Sequence, residues 1–596
     1  MYTQAPLRLF ALAFCAMALI LSPLAEATPE SVAETMTRLT ERIREGRDEA
    51  ALNALDNDTV LQALTEEERL VLATEHWTFT VNVPVVVSIV RHDEQKIVPF
   101  WLESEAFTKT DLVVKNELNT YEVWQKSFPT GKVGLGINGF ERHRPHYFVA
   151  VGPQNPEDVV EISDLAPSPP AILPFSPGSF TYADWDELVL TEVPDALNGQ
   201  ILLTTIRGRA REAEIIGAFR SSPSVATDKA DLTTLTWSDD PATTQAVQWR
   251  TATGVENSGV YTRKKGEEAW TFTEATSVLL EDRNILNNTR ILWHTAEITG
   301  LDAGSEYEYA PGVKDTAPDQ AASTFKTAPR ETEQFSFLWV SDNHKRPDSV
   351  PLIEQARKFH PDAAFIAISG DLIGTGQHRD DWETLFTLYG DFITEIPLVP
   401  ALGNHDTIDG LGSVMYRSLF RLPDNGPERL ERGQSHSMEY GNLLQLVSVD
   451  STDTIEGQTQ WLEETLSSSQ APWKIVQFHF PPYAPDEDYP EIRSLWGDIF
   501  DKYHVDIVLT GHVHYYLRSF PMYGGQRVDS PAEGTLYLIS VAVAGREKGE
   551  PAPDYAAVFR KDGVPTCQAF TLTPHTLTMN AYTAEGTVYD SFTLKK

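Results

Sequence analysis

The sequence predicts a multidomain chain whose second half is an α/β sandwich and whose first half is mostly β. Three patterns carry that prediction. Five continuous apolar runs in the second half, Phe335 to Val340, Ala364 to Ile368, Leu398 to Leu402, Trp473 to Phe478 and Val505 to Leu509, alternate with helical patterns. Covered strands of an α/β sheet have this composition. Shorter β-rich runs with turn signals fill the stretch before them. Residues 28 to 75 are polar, with apolar positions at helical spacing. At 596 residues the chain is too long for one core.

Taken in order, Arg8 precedes the apolar run Leu9 to Leu21, and Ala25-Glu26-Ala27 has the small-x-small form of a cleavage site. Residues 1–27 are therefore expected to be a signal peptide, and the mature protein to be exported to the periplasm or beyond the cell. The run is short for a membrane span, and no other segment has 18 apolar residues in a row. Cleavage would remove Cys15 and leave Cys567 as the only cysteine, so no internal disulfide is expected.

Val32, Met36, Leu39 and Ile43, then Leu52, Leu55, Leu61, Leu64 and Leu70, predict two or three amphipathic helices over residues 28–75. Residues 76–220 turn β-rich, with runs at Val81 to Val90 and Ile201 to Ile206 and a proline-rich connector at Pro167 to Pro177. The cluster Arg142, His143, Arg144 and His146 reads as a solvated loop, and no chemistry is assigned to this unit. Residues 221–330 read as a small β-sandwich, with strands near Leu232 to Trp237, Ala246 to Arg250 and His294 to Thr299. Residues 331–596 hold the five apolar runs, and Thr535 to Val541 and Thr571 to Thr593 supply further strands.

Each of the five runs is followed by residues able to do chemistry: Asp342-Asn343-His344, Gly370-Asp371, Gly403-Asn404-His405-Asp406, His479, and Gly511-His512-Val513-His514. Sites in such sheets collect where strands end, so these segments converge. Two metal ions about 3.5–4 Å apart can hold an attacking hydroxide and neutralise phosphoryl oxygens. One carboxylate must be shared, and Asp371 is the natural choice. The first ion would then take Asp342, His344 and His514, the second Asn404, His479 and His512. Imidazole with carboxylate suits iron, zinc, manganese or nickel, not calcium or magnesium in an all-oxygen cage. His405 lies outside that count and is the candidate for donating a proton to the leaving oxygen. Asp406 would orient it or fix the loop. His378 reads as a solvated loop residue, and His360, His436, His504 and His575 as ordinary surface or core residues. Singly each motif is weak; five in order at strand ends are not.

At these residues the chain resembles the calcineurin-like metallophosphoesterase superfamily, and within it purple acid phosphatases. Gly511-His512-Val513-His514-Tyr515-Tyr516-Leu517-Arg518 is similar to their Gly-His-Val-His-x-Tyr-Glu-Arg signature, and His479-Phe480-Pro481-Pro482-Tyr483 to their His-x-Pro-x-Tyr. Leu301 to Tyr309 resembles the tyrosine corner of fibronectin type III domains, which precede the catalytic unit in plant-type purple acid phosphatases. The resemblance implies a four-layer αββα catalytic sandwich behind a fibronectin-like β-sandwich and a further β-rich domain. Two departures stand out. Gly374 occupies the position of the iron-binding tyrosine, and Asp342-Asn343-His344 replaces Asp-x-Gly. Both favour two divalent ions over a ferric site and predict loss of the purple colour.

The expected activity is hydrolysis of phosphate monoesters. The same residue series matches class III cyclic-nucleotide phosphodiesterases, which keeps diester hydrolysis as the alternative. A surface-binding protein with a vestigial site is the rival from another class, and vestigial sites usually lose ligands. The net charge of −38 opposes binding to nucleic-acid duplexes, so a phosphate-ester small molecule or nucleotide is the expected partner.

Overall fold

In the computed structural model the described residues are 31–143, 145–183, 188–316, 322–407, 410–544 and 551–596. The signal-peptide expectation lies outside them. Among the described residues no helix is long and apolar enough to cross a membrane.

Four short helices open the described chain: Val32–Arg44, Glu49–Asn53, Asn57–Ala63 and Glu66–Thr74. The sequence predicted two or three. The extra break follows from capping: Asp48, Asp56 and Thr65 each accept a backbone N–H and start a new helix. Met36, Leu39 and Ile43 are fully buried, against Ile137, Phe140 and Ile215 of the next unit.

That unit pairs a seven-stranded with a three-stranded antiparallel sheet. Two expectations need correcting here. The proline-rich connector contains an edge strand, Ile172–Pro174, paired with Ile201–Leu203; proline is tolerated at such an edge. His146, read as part of a solvated loop, lies outside helices and strands but is fully buried, its Nε2 2.9 Å from His76 Nε2. Local polarity in the sequence gave no sign of His76, Trp77 and Tyr147, whose rings pack around it. Arg144 is outside the described residues.

Two four-stranded antiparallel sheets follow. Trp249, Val247, Val260 and Tyr309 fill the space between them. The Asp302 N–H donates to the Tyr307 hydroxyl at 2.8 Å, the corner read from the sequence. Trp293 stacks on Phe386 at 5.3 Å, and Arg250 meets Glu383 at 3.2 Å, so this sandwich rests on helix Arg379–Ile393 of the catalytic unit.

The catalytic unit has a six-stranded and a seven-stranded mixed sheet. Strand Phe335–Val340 pairs in parallel with Ile366–Ser369, and that strand with Leu398–Ala401. Trp473–Gln477 and Ile507–Thr510 are parallel neighbours in the other sheet. Alternation along the first strand explains the packing. Phe337 and Trp339 meet Ile475, Ile507 and Leu509 between the sheets. Leu338 and Val340 point the other way, onto Leu352 and Trp382 of two helices. Val476 and Val508 likewise pack on Leu462 and Phe500 on the far face of the second sheet.

Candidate metal centre

Both sheets present the C-terminal ends of their parallel strands to one place. Ser369 leads to Asp371, Ala401 to Asn404, Gln477 to His479 and Thr510 to His512. The turns that follow are tight. Asp342, His344, Lys345, Asp371, His512 and His514 all have positive φ, from 47° to 75°. Non-glycine residues rarely adopt this conformation, and it concentrates at functional sites. The carboxylates also need room behind them. A Cβ on Gly511 would collide with Ser341 Oγ and the Asp342 carboxylate, and one on Gly403 with the backbone and carboxylate of Asp371.

The structure brings the candidate residues together in two groups. Donor atoms of Asp342, His344, Asp371 and His514 lie within 4.8 Å of one another, as do those of Asp371, His479 and His512. Asp371 belongs to both. His344 Nε2 is 3.0 Å from His514 Nε2, and His514 Nε2 is 3.3 Å from Asp342 Oδ1. His479 Nε2 is 3.2 Å from Asp371 Oδ2 and 3.0 Å from Asn404 Oδ1. Imidazole nitrogens and buried carboxylate oxygens converging in this way fit a pair of borderline cations.

Electrostatics point the same way. Burial opposes a charge on His479, but the Asp371 and Asp342 carboxylates overcome it and push it up to about 9. Burial also opposes ionisation of Asp371; His479, His405 and His344 nevertheless hold it far below the usual carboxylate range. Burial pushes His344 down to about 4, so this imidazole is neutral.

His405 stands beside both groups. Its backbone N–H donates to Asp371 Oδ1 at 2.8 Å, its Nδ1 lies 2.8 Å from the Gly374 carbonyl, and its ring meets His344 edge-on at 4.7 Å. Asp406 does not orient it. That carboxylate is buried and accepts the N–H groups of Leu372, Ile373 and Gly403, so it fixes the loop. Gly374 is also informative: a Cβ there would lie 3.3 Å from Asp381 Oδ2, whose carboxylate pairs with Lys345.

His378 joins neither group, and it is not a solvated loop residue. It is half-buried at the start of helix Arg379–Ile393, beside a cavity of about 340 Å3 lined by Arg211, Arg220 and Arg283. Burial and the nearby arginines push it down to about 2. Its neighbours Asp380 and Asp381 are matched by Arg220 and Lys345, which leaves no net negative charge for an ion. Sequence reasoning missed Lys345 and Glu487. Glu487 Oε2 lies 2.9 Å from His512 Nε2. Nothing in the run Asp486-Glu487-Asp488 distinguishes it from a solvated acidic loop.

Comparison with known proteins agrees with this geometry. Residues 335–516 match the calcineurin-like phosphoesterase family. The chain carries a calcineurin-like phosphoesterase domain. Residues 231–327 match the purple acid phosphatase N-terminal domain, so this phosphoric ester hydrolase carries both parts of that arrangement. It is 22% identical over 327 residues to purple acid phosphatase 23 of Arabidopsis thaliana, covering 48% of this chain and 68% of that one. An uncharacterised protein of Mycobacterium tuberculosis is 26% identical over 391 residues, 55% of this chain and 71% of the relative. In fold the phosphoesterase is similar to purple acid phosphatase PPD1 of yellow lupin (Lupinus luteus), with a TM-score of 0.54 and 15% identity over 88% of this chain and 91% of that one. The family binds divalent metals, and the two groups around Asp371 are its candidate ligands here.

Proposed function

We propose that this chain is an exported phosphatase that hydrolyses phosphate monoesters at a dinuclear centre within a four-layer sandwich. Asp342, His344 and His514 would hold one ion, Asn404, His479 and His512 the other, and Asp371 would be shared. The observation that carries the reading is Asp371's membership of two overlapping donor groups. Bound there, two divalent ions supply Lewis acidity toward the phosphoryl oxygens and lower the pKa of water.

The chain's own residues do the rest. Asp406 holds the Asn404–His405 turn in place through three backbone N–H groups. His405 is anchored through Nδ1, which leaves Nε2 to pass a proton to the departing oxygen. Lys345, next to His344, keeps Asp381 neutralised and places a cation beside the first group.

A second reading, phosphodiester hydrolysis, is favoured by one observation. A cavity of about 840 Å3 runs from Asn404 past Thr452, Phe480 and Tyr489, with room for a second ester substituent. The deciding experiment compares p-nitrophenyl phosphate with bis(p-nitrophenyl) phosphate on metal-reconstituted protein. Faster turnover of the monoester is expected. Preference for the diester would replace this reading with the second, and turnover of neither would end both.

A further inference from the structure

The segment Asp486-Glu487-Asp488 is a run of three acids on the cleft wall, and each has its own partner. Asp486 accepts from the Tyr515 hydroxyl at 2.7 Å and pairs with Lys561 at 2.9 Å. Asp488 pairs with Arg493. The Glu487 side chain is 40% exposed, and its Oε2 lies 2.9 Å from His512 Nε2 and accepts from the Tyr489 hydroxyl. The His512 ring has little freedom to turn. Phe480 meets it edge-on at 4.7 Å and His479 at 5.0 Å, Tyr489 stacks on Phe480 at 5.0 Å, and the backbone below it is held by the His512 main-chain N–H, which donates to the Asp342 carboxylate at 2.9 Å.

An imidazole has two nitrogens, and a carboxylate against one decides what the other can do. An acceptor at Nε2 keeps the proton there and leaves the Nδ1 lone pair for a cation. We infer that Glu487 is a positioning residue: it fixes His512 with its proton on Nε2, so that Nδ1 is the atom that joins Asp371 and His479 in the second donor group. This rests on the dinuclear reading. It also ties the metal centre to the cleft, because Asp488 and Tyr489, the two residues that follow Glu487, line the cavity beside Asn404. Carboxylates behind metal-binding histidines raise ligand basicity, and their loss typically lowers metal affinity about 10–100-fold.

The test titrates chelator-treated full-length protein with Zn2+ by calorimetry, for wild type, Glu487→Ala and Glu487→Gln. Wild type should show two binding events. Glu487→Ala should weaken one of them by about 10–100-fold and leave the other unchanged. Glu487→Gln should stay near wild type, because its amide oxygen still accepts from Nε2–H. Two unchanged events in Glu487→Ala would overturn the inference and leave the dinuclear reading intact. Equal losses in both variants would also overturn it, since charge or direct ligation would then matter instead of orientation. Fewer than two events in wild type would sink the dinuclear reading itself. A second measurement needs no variant: histidine ring 15N spectra of the zinc-loaded protein should place the His512 proton on Nε2. A proton on Nδ1 contradicts the inference.

Discussion

His405 Nδ1 lies 2.8 Å from the carbonyl oxygen of Gly374, so that nitrogen carries a proton and donates it to the backbone. The carbonyl selects the tautomer and leaves Nε2 to exchange a proton with a substrate oxygen. It also makes position 374 do two jobs at once. The backbone holds the candidate acid, and the missing side chain leaves space for the Lys345–Asp381 pair.

His405→Ala should therefore keep both metals and lose turnover. General acid assistance typically contributes ~10²–10⁴-fold. The loss should be large for an alkyl phosphate and small for a nitrophenyl phosphate, whose leaving oxygen needs little protonation. Equal losses would assign His405 to charge stabilisation instead, and unchanged rates would remove it from the mechanism.

Asp371→Asn should be more damaging than Asp342→Asn. Asp371 sits in both donor groups and Asp342 in one. Metal analysis should find both ions depleted in the first variant and one in the second. An Asp371 variant that keeps its metals while the Asp342 variant is empty would move the bridging role.

Iron-loaded protein should be colourless in the visible range. The position of the purple enzymes' tyrosinate is Gly374, and even a Cβ there would lie 3.3 Å from Asp381 Oδ2, a tight contact. A tyrosinate-to-iron band in the spectrum would show that a remote tyrosine enters the site.

Metal binding should release protons. His479 is held at about 9, and burial of His514 is likewise outweighed by Asp342, which raises it. A histidine must be neutral to bind a metal, so apparent affinity should climb with pH until about 9. The fold responds in the opposite sense. His479 is raised above its unfolded value of 6.5, so its contribution to the metal-free fold is complete below that pH and lost as pH rises through about 9. Calorimetry at neutral pH in two buffers of different ionisation enthalpy reads the release directly. Identical heats in both buffers would contradict it.

Much of the catalytic unit was legible because its strands are continuous apolar runs. Phe335–Val340 could be read to the residue, since a strand buried on both faces needs no polar alternation. The candidate donors were legible because glycines that permit close approach precede them in sequence, as Gly403 precedes Asn404 and Gly511 precedes His512. What escaped reading depends on distant parts of the chain. His146 and His378 sit in polar stretches and look solvated, yet His76 and the cluster of Arg211, Arg220 and Arg283 enclose them. Glu487 gains its role only because the loop after His479 folds back over His512, 25 residues later in sequence.

The central claim is a dinuclear centre built around Asp371, and elemental analysis paired with an activity assay tests it most directly. The purified, reconstituted protein should hold about two transition-metal ions per chain, lose activity to a chelator and regain it as the second ion returns. Full activity with fewer than one ion per chain would contradict it.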